Sequence, residues 1–138
     1  MDRQSDKIEG LKVLGRRVSL PSKPSLDILE TFSNPGATTV EFSTKEFTSL
    51  CPVTGQPDWC SIVIKYSPNA LCVESKSLKL YLQSYRNEHG FIEELTTRIF
   101  EDIFTVLKPL YLEVAVTATP RGGLSLTARK IIRGREVE

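Results

Sequence analysis

Histidine is almost missing from this sequence: His89 stands alone among 138 residues. The three cysteines, Cys51, Cys60 and Cys72, form no Cys-x-x-Cys pair, so the donors for a zinc centre are lacking and no metal is expected. Their odd number argues against a disulfide framework and suits a reducing compartment. A surplus of one charge is missing too. The 18 Lys and Arg face 17 Asp and Glu, a net of +1, which gives no broad field for holding nucleic acid. No apolar run approaches the roughly 18 residues that cross a bilayer. The opening Met1-Asp2-Arg3-Gln4-Ser5-Asp6-Lys7 lacks the apolar stretch of a secretory signal. No Gly-x-Gly-x-x-Gly marks a Rossmann nucleotide site. The expectation is a cytoplasmic chain with neither nucleic acid nor membrane as its partner.

What is present suits one globular domain, with 40% hydrophobic and 25% charged residues. Residues 1–25 are polar and without sustained period, and read as a flexible N-terminal arm. The compact domain is expected over 26–138. Thr38 to Thr48, rich in Thr, Val and Phe, reads as a strand, and Trp59 to Tyr66 alternates as a second. The eight residues from Cys51 to Asp58 hold two prolines and a glycine, which is loop chemistry. Leu78, Tyr81, Leu82 and Tyr85 recur at helical spacing within Glu74 to Tyr85. Ile92, Leu95, Ile99, Ile103 and Val106 stripe a longer helix that Pro109 ends. Tyr111 to Ala118 alternates again. Pro120-Arg121-Gly122-Gly123 turns the chain into a last strand, Leu124 to Ile132.

The order ββααββ predicts an α+β layer, with both helices on one face of an antiparallel sheet. The second face and both edges stay uncovered in so short a chain. Open edges pair with other chains, so a homo-oligomer is expected.

Several residues could carry chemistry. Cys51 sits where a strand gives way to a Pro/Gly loop, a position for a nucleophile or for a small buried hydrophobe. Asp58, at the far end of that loop, either carries a proton or caps its own turn. Cys60 and Cys72 alternate into strand faces and read as packing. The run Glu74-Ser75-Lys76-Ser77-Leu78-Lys79 opens a helix. Its free N–H groups with Lys76 and Lys79 would suit an anion, or it is a solvated face with a serine cap. Arg121 reaches an anion or solvent. Glu93 receives the N–H groups of a heterocycle or is a favourable first-turn acid.

Taken together, these segments resemble the NADPH-dependent 7-cyano-7-deazaguanine reductases, the nitrile reductases of queuosine biosynthesis. The resemblance runs from about Leu29 to Arg133. It is carried by Leu29-Glu30-Thr31-Phe32, by Glu46 through Asp58, by Val73 through Tyr81, and by Thr119-Pro120-Arg121-Gly122-Gly123. It implies the tunnelling fold, whose ββααββ units close into a barrel by oligomerisation, as a pentamer or decamer. It implies that Cys51 adds to the nitrile carbon as a thioimide and that Asp58 supplies the proton. Two NADPH would then reduce the thioimide to an aminomethyl group. Val73, Glu74, Ser75, Ile92 and Glu93 match positions that hold the deazaguanine, and Lys76, Lys79 and Arg121 match those that bind cofactor phosphates. At Ile92 the family usually has histidine; isoleucine keeps a ring-sized apolar contact and loses a hydrogen bond and a proton donor. Amidinotransferases acting on a nitrile-bearing deazaguanine in tRNA are the alternative. They resemble the chain around Cys51 but lack the Glu74–Lys79 run.

Overall fold

Strand β2, Val40–Leu50, runs antiparallel to β3, Pro57–Ser67, and their inward rungs are the framework of the domain. The computed structural model describes residues 19–133. A four-stranded antiparallel sheet has the order β2-β3-β5-β6, where β5 is Tyr111–Arg121 and β6 is Leu124–Arg133. Helix α1 spans Ser75–Gln83, continued by a 3-10 turn at Ser84–Asn87, and α2 spans Ile92–Leu107. Around the sheet and helices the order is the expected ββααββ. A small second sheet was not expected: β1, Thr31–Ser33, pairs antiparallel with β4, Leu71–Val73. The run Leu71-Cys72-Val73 was expected to be strand-like and is β4, whereas three-residue β1 carries too little alternation to be read from sequence.

Burial explains the layering. Ile62, Ile64 and Tyr66 of β3 and Leu112, Val114 and Val116 of β5 are fully enclosed. Against them pack Leu78 and Tyr81 of α1 and Ile99, Phe100, Ile103 and Leu107 of α2. The α2 stripe therefore supplies the apolar area that its period promised. Lys108 adopts a left-handed conformation (φ 47°) just past the helix, and Pro109 follows, so the helix cannot continue. Gly122 and Gly123, at φ 56° and 78°, form the tight turn between β5 and β6, the backbone that a two-residue hairpin of this hand requires. Among the described residues no helix is long and apolar enough to cross a membrane.

Residues 1–18 of the expected N-terminal arm lie outside the described residues. Its end is anchored: Pro24 is buried, and Arg86 donates to the Pro21 carbonyl at 2.8 Å.

The helices are tied to each other by buried polar contacts. The Tyr81 hydroxyl donates to Asp102 Oδ2 at 2.6 Å and shares a 2.8 Å bond with the Tyr85 hydroxyl. Burial pushes both phenols up, Tyr85 to about 12, so they remain donors at neutral pH. Tyr81→Phe should leave the Tyr85 hydroxyl short of its partner inside the core. A loss of about 1–2 kcal/mol is expected. Urea unfolding should show a lower midpoint with an unchanged slope.

Candidate active site

The β2–β3 hairpin turns within six residues. The Cys51 N–H donates to the Gln56 carbonyl at 2.8 Å, and the Gly55 N–H donates back to the Cys51 carbonyl at 2.9 Å. Gly55 takes φ 71°, which only glycine adopts at no steric cost. This small loop holds Cys51 half-buried at the end of β2 and Asp58 buried near the start of β3.

The three cysteines part company here. Hydrogen bonds from the Thr54 hydroxyl, then from the Thr54 and Val53 N–H groups, hold the Cys51 thiol below its ordinary value. Burial and the Asp58 charge oppose this more weakly. Cys60 is pushed up to about 11 by burial, and Cys72 lies against Asn34 Oδ1 at 3.6 Å, 4% exposed. A thiolate is the nucleophilic form of cysteine, and of the three Cys51 combines a lowered thiol with access to solvent. Thr54 was not singled out in the sequence; the available signal was a hydroxyl three residues after the cysteine inside a tight turn.

Arg121 was expected beside cofactor phosphates. The structure places its Nη2 on Asp58 Oδ1 as an ion pair, with the Pro57 carbonyl at 3.3 Å. The pair is lopsided, since Asp58's side chain is 11% exposed and Arg121's 54%. Half in solvent, such a pair contributes modestly to stability and mainly fixes geometry.

The start of α2 is brought to the same end of the molecule. The Leu50 N–H donates to the Glu88 carbonyl at 2.9 Å, and the Gly90 N–H to the Leu50 carbonyl at 3.1 Å. These bonds bind the segment entering α2 to the residue before Cys51. A Cβ at Gly90 would meet Leu95 Cδ2 at 2.8 Å, so a larger residue there would require the buried Leu95 side chain to shift. Glu93 is exposed in the first turn of α2. Ile92 is turned the other way, 5% exposed and packed in the core, so its apolar contact is with the protein itself. The exposed apolar side chain at this point is Phe91, which sequence reading passed over.

The remaining expected residues gather at α1. Glu74, not a serine, caps the helix: Oε2 accepts from the Lys76 N–H and Oε1 from the Ser77 N–H, both at 2.8 Å. Its own N–H reaches the Glu30 carbonyl at 2.8 Å, and the Val73 N–H reaches the Tyr66 hydroxyl at 3.0 Å. Ser77 is enclosed, its hydroxyl held by the Glu30 N–H and the Glu74 carbonyl. Ser75 and Lys79 line a pocket of about 260 Å³ between α1 and the β2–β3 sheet, floored by Phe42, Ile62, Ile64 and Leu78. Cys51, Asp58, Lys76 and Arg121 are not among its lining residues. One chain thus brings Cys51, Asp58 and Arg121 together, with the start of α2 beside them, and leaves the α1 group apart.

A cysteine with a lowered thiol at the end of β2 and a buried carboxyl near the start of β3, on an antiparallel sheet backed by two helices, offer the pair of groups that covalent catalysis uses. Residues 57–134 match the family described as QueF-like protein, and the chain belongs to that family. Proteins named NADPH-dependent 7-cyano-7-deazaguanine reductase are among its relatives. That of Nitratidesulfovibrio vulgaris is 45% identical over 130 residues, covering 90% of this chain and 78% of its own. That of Streptococcus thermophilus is 47% identical over 127 residues, covering 89% and 78%. That of Neisseria gonorrhoeae is 43% identical over 130 residues, covering 91% and 83%. The crystal structure of the archaeosine synthase QueF-Like in the apo form superposes with a TM-score of 0.67 at 22% identity, over 72% of this chain and 97% of that one. That likeness shows a shared fold.

Thr54→Val should raise the Cys51 thiol by removing its strongest hydrogen bond. A lowered thiol forms thiolate at lower pH, so losing the bond moves the alkylation profile toward higher pH. At neutral pH the variant should react more slowly with iodoacetamide than the parent. Mass spectrometry of alkylated Cys51 across a pH series measures the displacement.

Proposed function

We propose that this chain is an NADPH-dependent 7-cyano-7-deazaguanine reductase, converting the nitrile of that base to an aminomethyl group in queuosine biosynthesis. The observation that carries the reading is the Cys51 thiol, lowered by Thr54 and set across a short loop from Asp58, in a chain 43–47% identical to relatives named for that activity. A nitrile accepts hydride poorly, and a covalent adduct makes it an imine-like acceptor. Cys51 sulfur bonds to the nitrile carbon as one C–N π bond opens. The thiol proton passes by way of Asp58 to the nitrogen, giving a neutral thioimide with no net proton used. NADPH, when bound, would supply two hydrides per nitrile; of two protons drawn from solvent, one completes the amine and the other returns the departing Cys51 thiolate to the thiol.

The binding residues fit this reading in part. Lys79 and Ser75 share a pocket beside α1; since Glu74 already holds the Lys76 and Ser77 N–H groups, the attraction for a phosphate would come from the side chains of Lys79 and Lys76. Arg121 offers further donors from the hairpin side. Glu93 would receive N–H groups of the base, with Val73, Glu74 and Ser75 completing its pocket. Glu74's carboxylate already caps α1, so it would serve the base through its remaining lone pairs. Three free cysteines favour a reducing, cytoplasmic setting. Amidinotransferases resemble the chain around Cys51, and the Glu74–Lys79 helix favours the reductase over them.

Closure of the site belongs to an assembly in this proposal. Strands β2 and β6 are the edges of the sheet, and the two groups of binding residues lie apart within one chain. Edge pairing between copies, closing a barrel of five or ten subunits, would bring a second chain's residues to each Cys51.

Protein mixed with the nitrile base alone should yield a near-UV adduct with the mass of both. Adding NADPH should then consume the cofactor. Cys51→Ala should abolish adduct and turnover, whereas Cys60→Ala should keep the adduct. An adduct persisting in Cys51→Ala would sink the assignment.

The assembly has its own measurement. Sedimentation should report a ring-sized homo-oligomer, and Leu126→Pro in edge strand β6 should lower both assembly and activity. A strictly monomeric, fully active protein at micromolar concentration would overturn this closure.

A further inference from the structure

The inward ladder between β2 and β3 is apolar on its middle rungs apart from Thr44, and ends on a polar pair. Phe42 meets Ile64, Thr44 meets Ile62 and Phe47 meets Cys60; the next inward pair is Ser49 with Asp58. Both are buried, Ser49 at 0% exposure and Asp58 at 8%. Among the described residues, the Ser49 hydroxyl is the buried side-chain polar atom left without a hydrogen-bond partner. Such an orphan costs stability that Ala or Val at an inward strand position would not. Cross-strand neighbours stand about 4.5–5.5 Å apart at Cβ, so a rotation about χ1 brings the hydroxyl to the Asp58 carboxyl.

Arg121, which now holds Asp58 Oδ1, has only donors to offer. It suits the carboxylate and has nothing to give a carboxyl proton. A serine hydroxyl both donates and accepts, so it serves Asp58 in either protonation state. A group that takes a proton from sulfur and gives it to nitrogen passes through both.

We infer that Ser49 is a positioning residue for Asp58, its hydroxyl holding the carboxyl in place while the proton moves from Cys51 to the substrate nitrogen. The inference rests on the nitrile-reductase reading. It adds a residue that touches neither thiol nor cofactor and acts through Asp58. The orphan hydroxyl finds its partner during the reaction.

The test compares parent, Ser49→Ala, Ser49→Thr and Asp58→Asn, with and without Ser49→Ala, all as full chains. Readouts are the rate of near-UV adduct formation with 7-cyano-7-deazaguanine across pH, and thermal unfolding. Ser49→Ala should unfold at the same or a higher temperature, form adduct about ten- to hundredfold more slowly, and show a displaced pH profile. Ser49→Thr, which keeps the hydroxyl, should restore rate and profile. In the Asp58→Asn background, Ser49→Ala should cost nothing more. A folded Ser49→Ala with the parental rate and profile overturns the inference. So does a Ser49→Ala that no longer folds, because the hydroxyl would then be needed by the resting structure, or an undiminished loss in the Asp58→Asn background. A parent forming no adduct refutes the nitrile reading itself, and the inference with it.

Discussion

A strand alternates, so a chain that points Phe42 and Thr44 inward would next point Glu46, Thr48 and Leu50 inward. It does not, because β2 carries one extra residue between Thr44 and Phe47 while its partner steps only from Ile62 to Cys60. That bulge resets the phase. Beyond it Phe47 and Ser49 face the core, and Lys45 and Glu46 stand exposed. Without the reset, a glutamate would enter the apolar layer and Ser49 would leave the side on which Asp58 lies. Both the packing of Phe47 on Tyr85 and the polar rung beside Cys51 depend on that single insertion.

The other fixed point is the capped start of α1. Glu74 binds two helix N–H groups with its carboxylate and the Glu30 carbonyl with its own N–H. Ser77 answers from the next turn by accepting the Glu30 N–H. The small β1–β4 sheet and α1 are thereby one unit, and Ser75 and Lys79 are held against the pocket by a cap rather than by their own contacts. A glutamate as N-cap lies outside the usual preference for Ser, Thr, Asp and Asn, yet here its two carboxylate oxygens satisfy two helix N–H groups at once.

Much of this was legible in the residues. The two helices and four long strands follow from period, and the turn after Cys51 from its proline and glycine, although Pro57 and Asp58, expected in the loop, already belong to β3. The strand ends were less so: β2 was expected to stop at Thr48 and instead reaches Leu50, because the bulge breaks the alternation that marks a strand. Ser49 was hidden for the same reason. Thr54 was hidden because a hydrogen bond to sulfur depends on loop conformation rather than composition. The buried state of Ile92 follows from its place at the head of the apolar stripe of α2, although the family resemblance puts it at a binding position. The pairing of Arg121 with Asp58 joins residues 63 apart, and no local pattern announces a contact of that range.

That pairing also bears on how the proposed reaction would be ordered. A guanidinium carries five N–H donors in a rigid fork, and Asp58 and Pro57 engage Nη2 alone. The side chain is half exposed, so an anionic cofactor group can meet the rest of the fork while Asp58 keeps its place. The same cation then answers to two anions. Each draws on its charge, so the arrival of one weakens its hold on the other, and the effect is reciprocal. In the proposed reaction, cofactor phosphate and proton carrier would in this way be linked through one side chain. A lysine at this position, a point charge without the fork, would meet one partner at the expense of the other, and the Gly122-Gly123 turn directly after Arg121 keeps the strand end short enough to deliver the fork to Asp58.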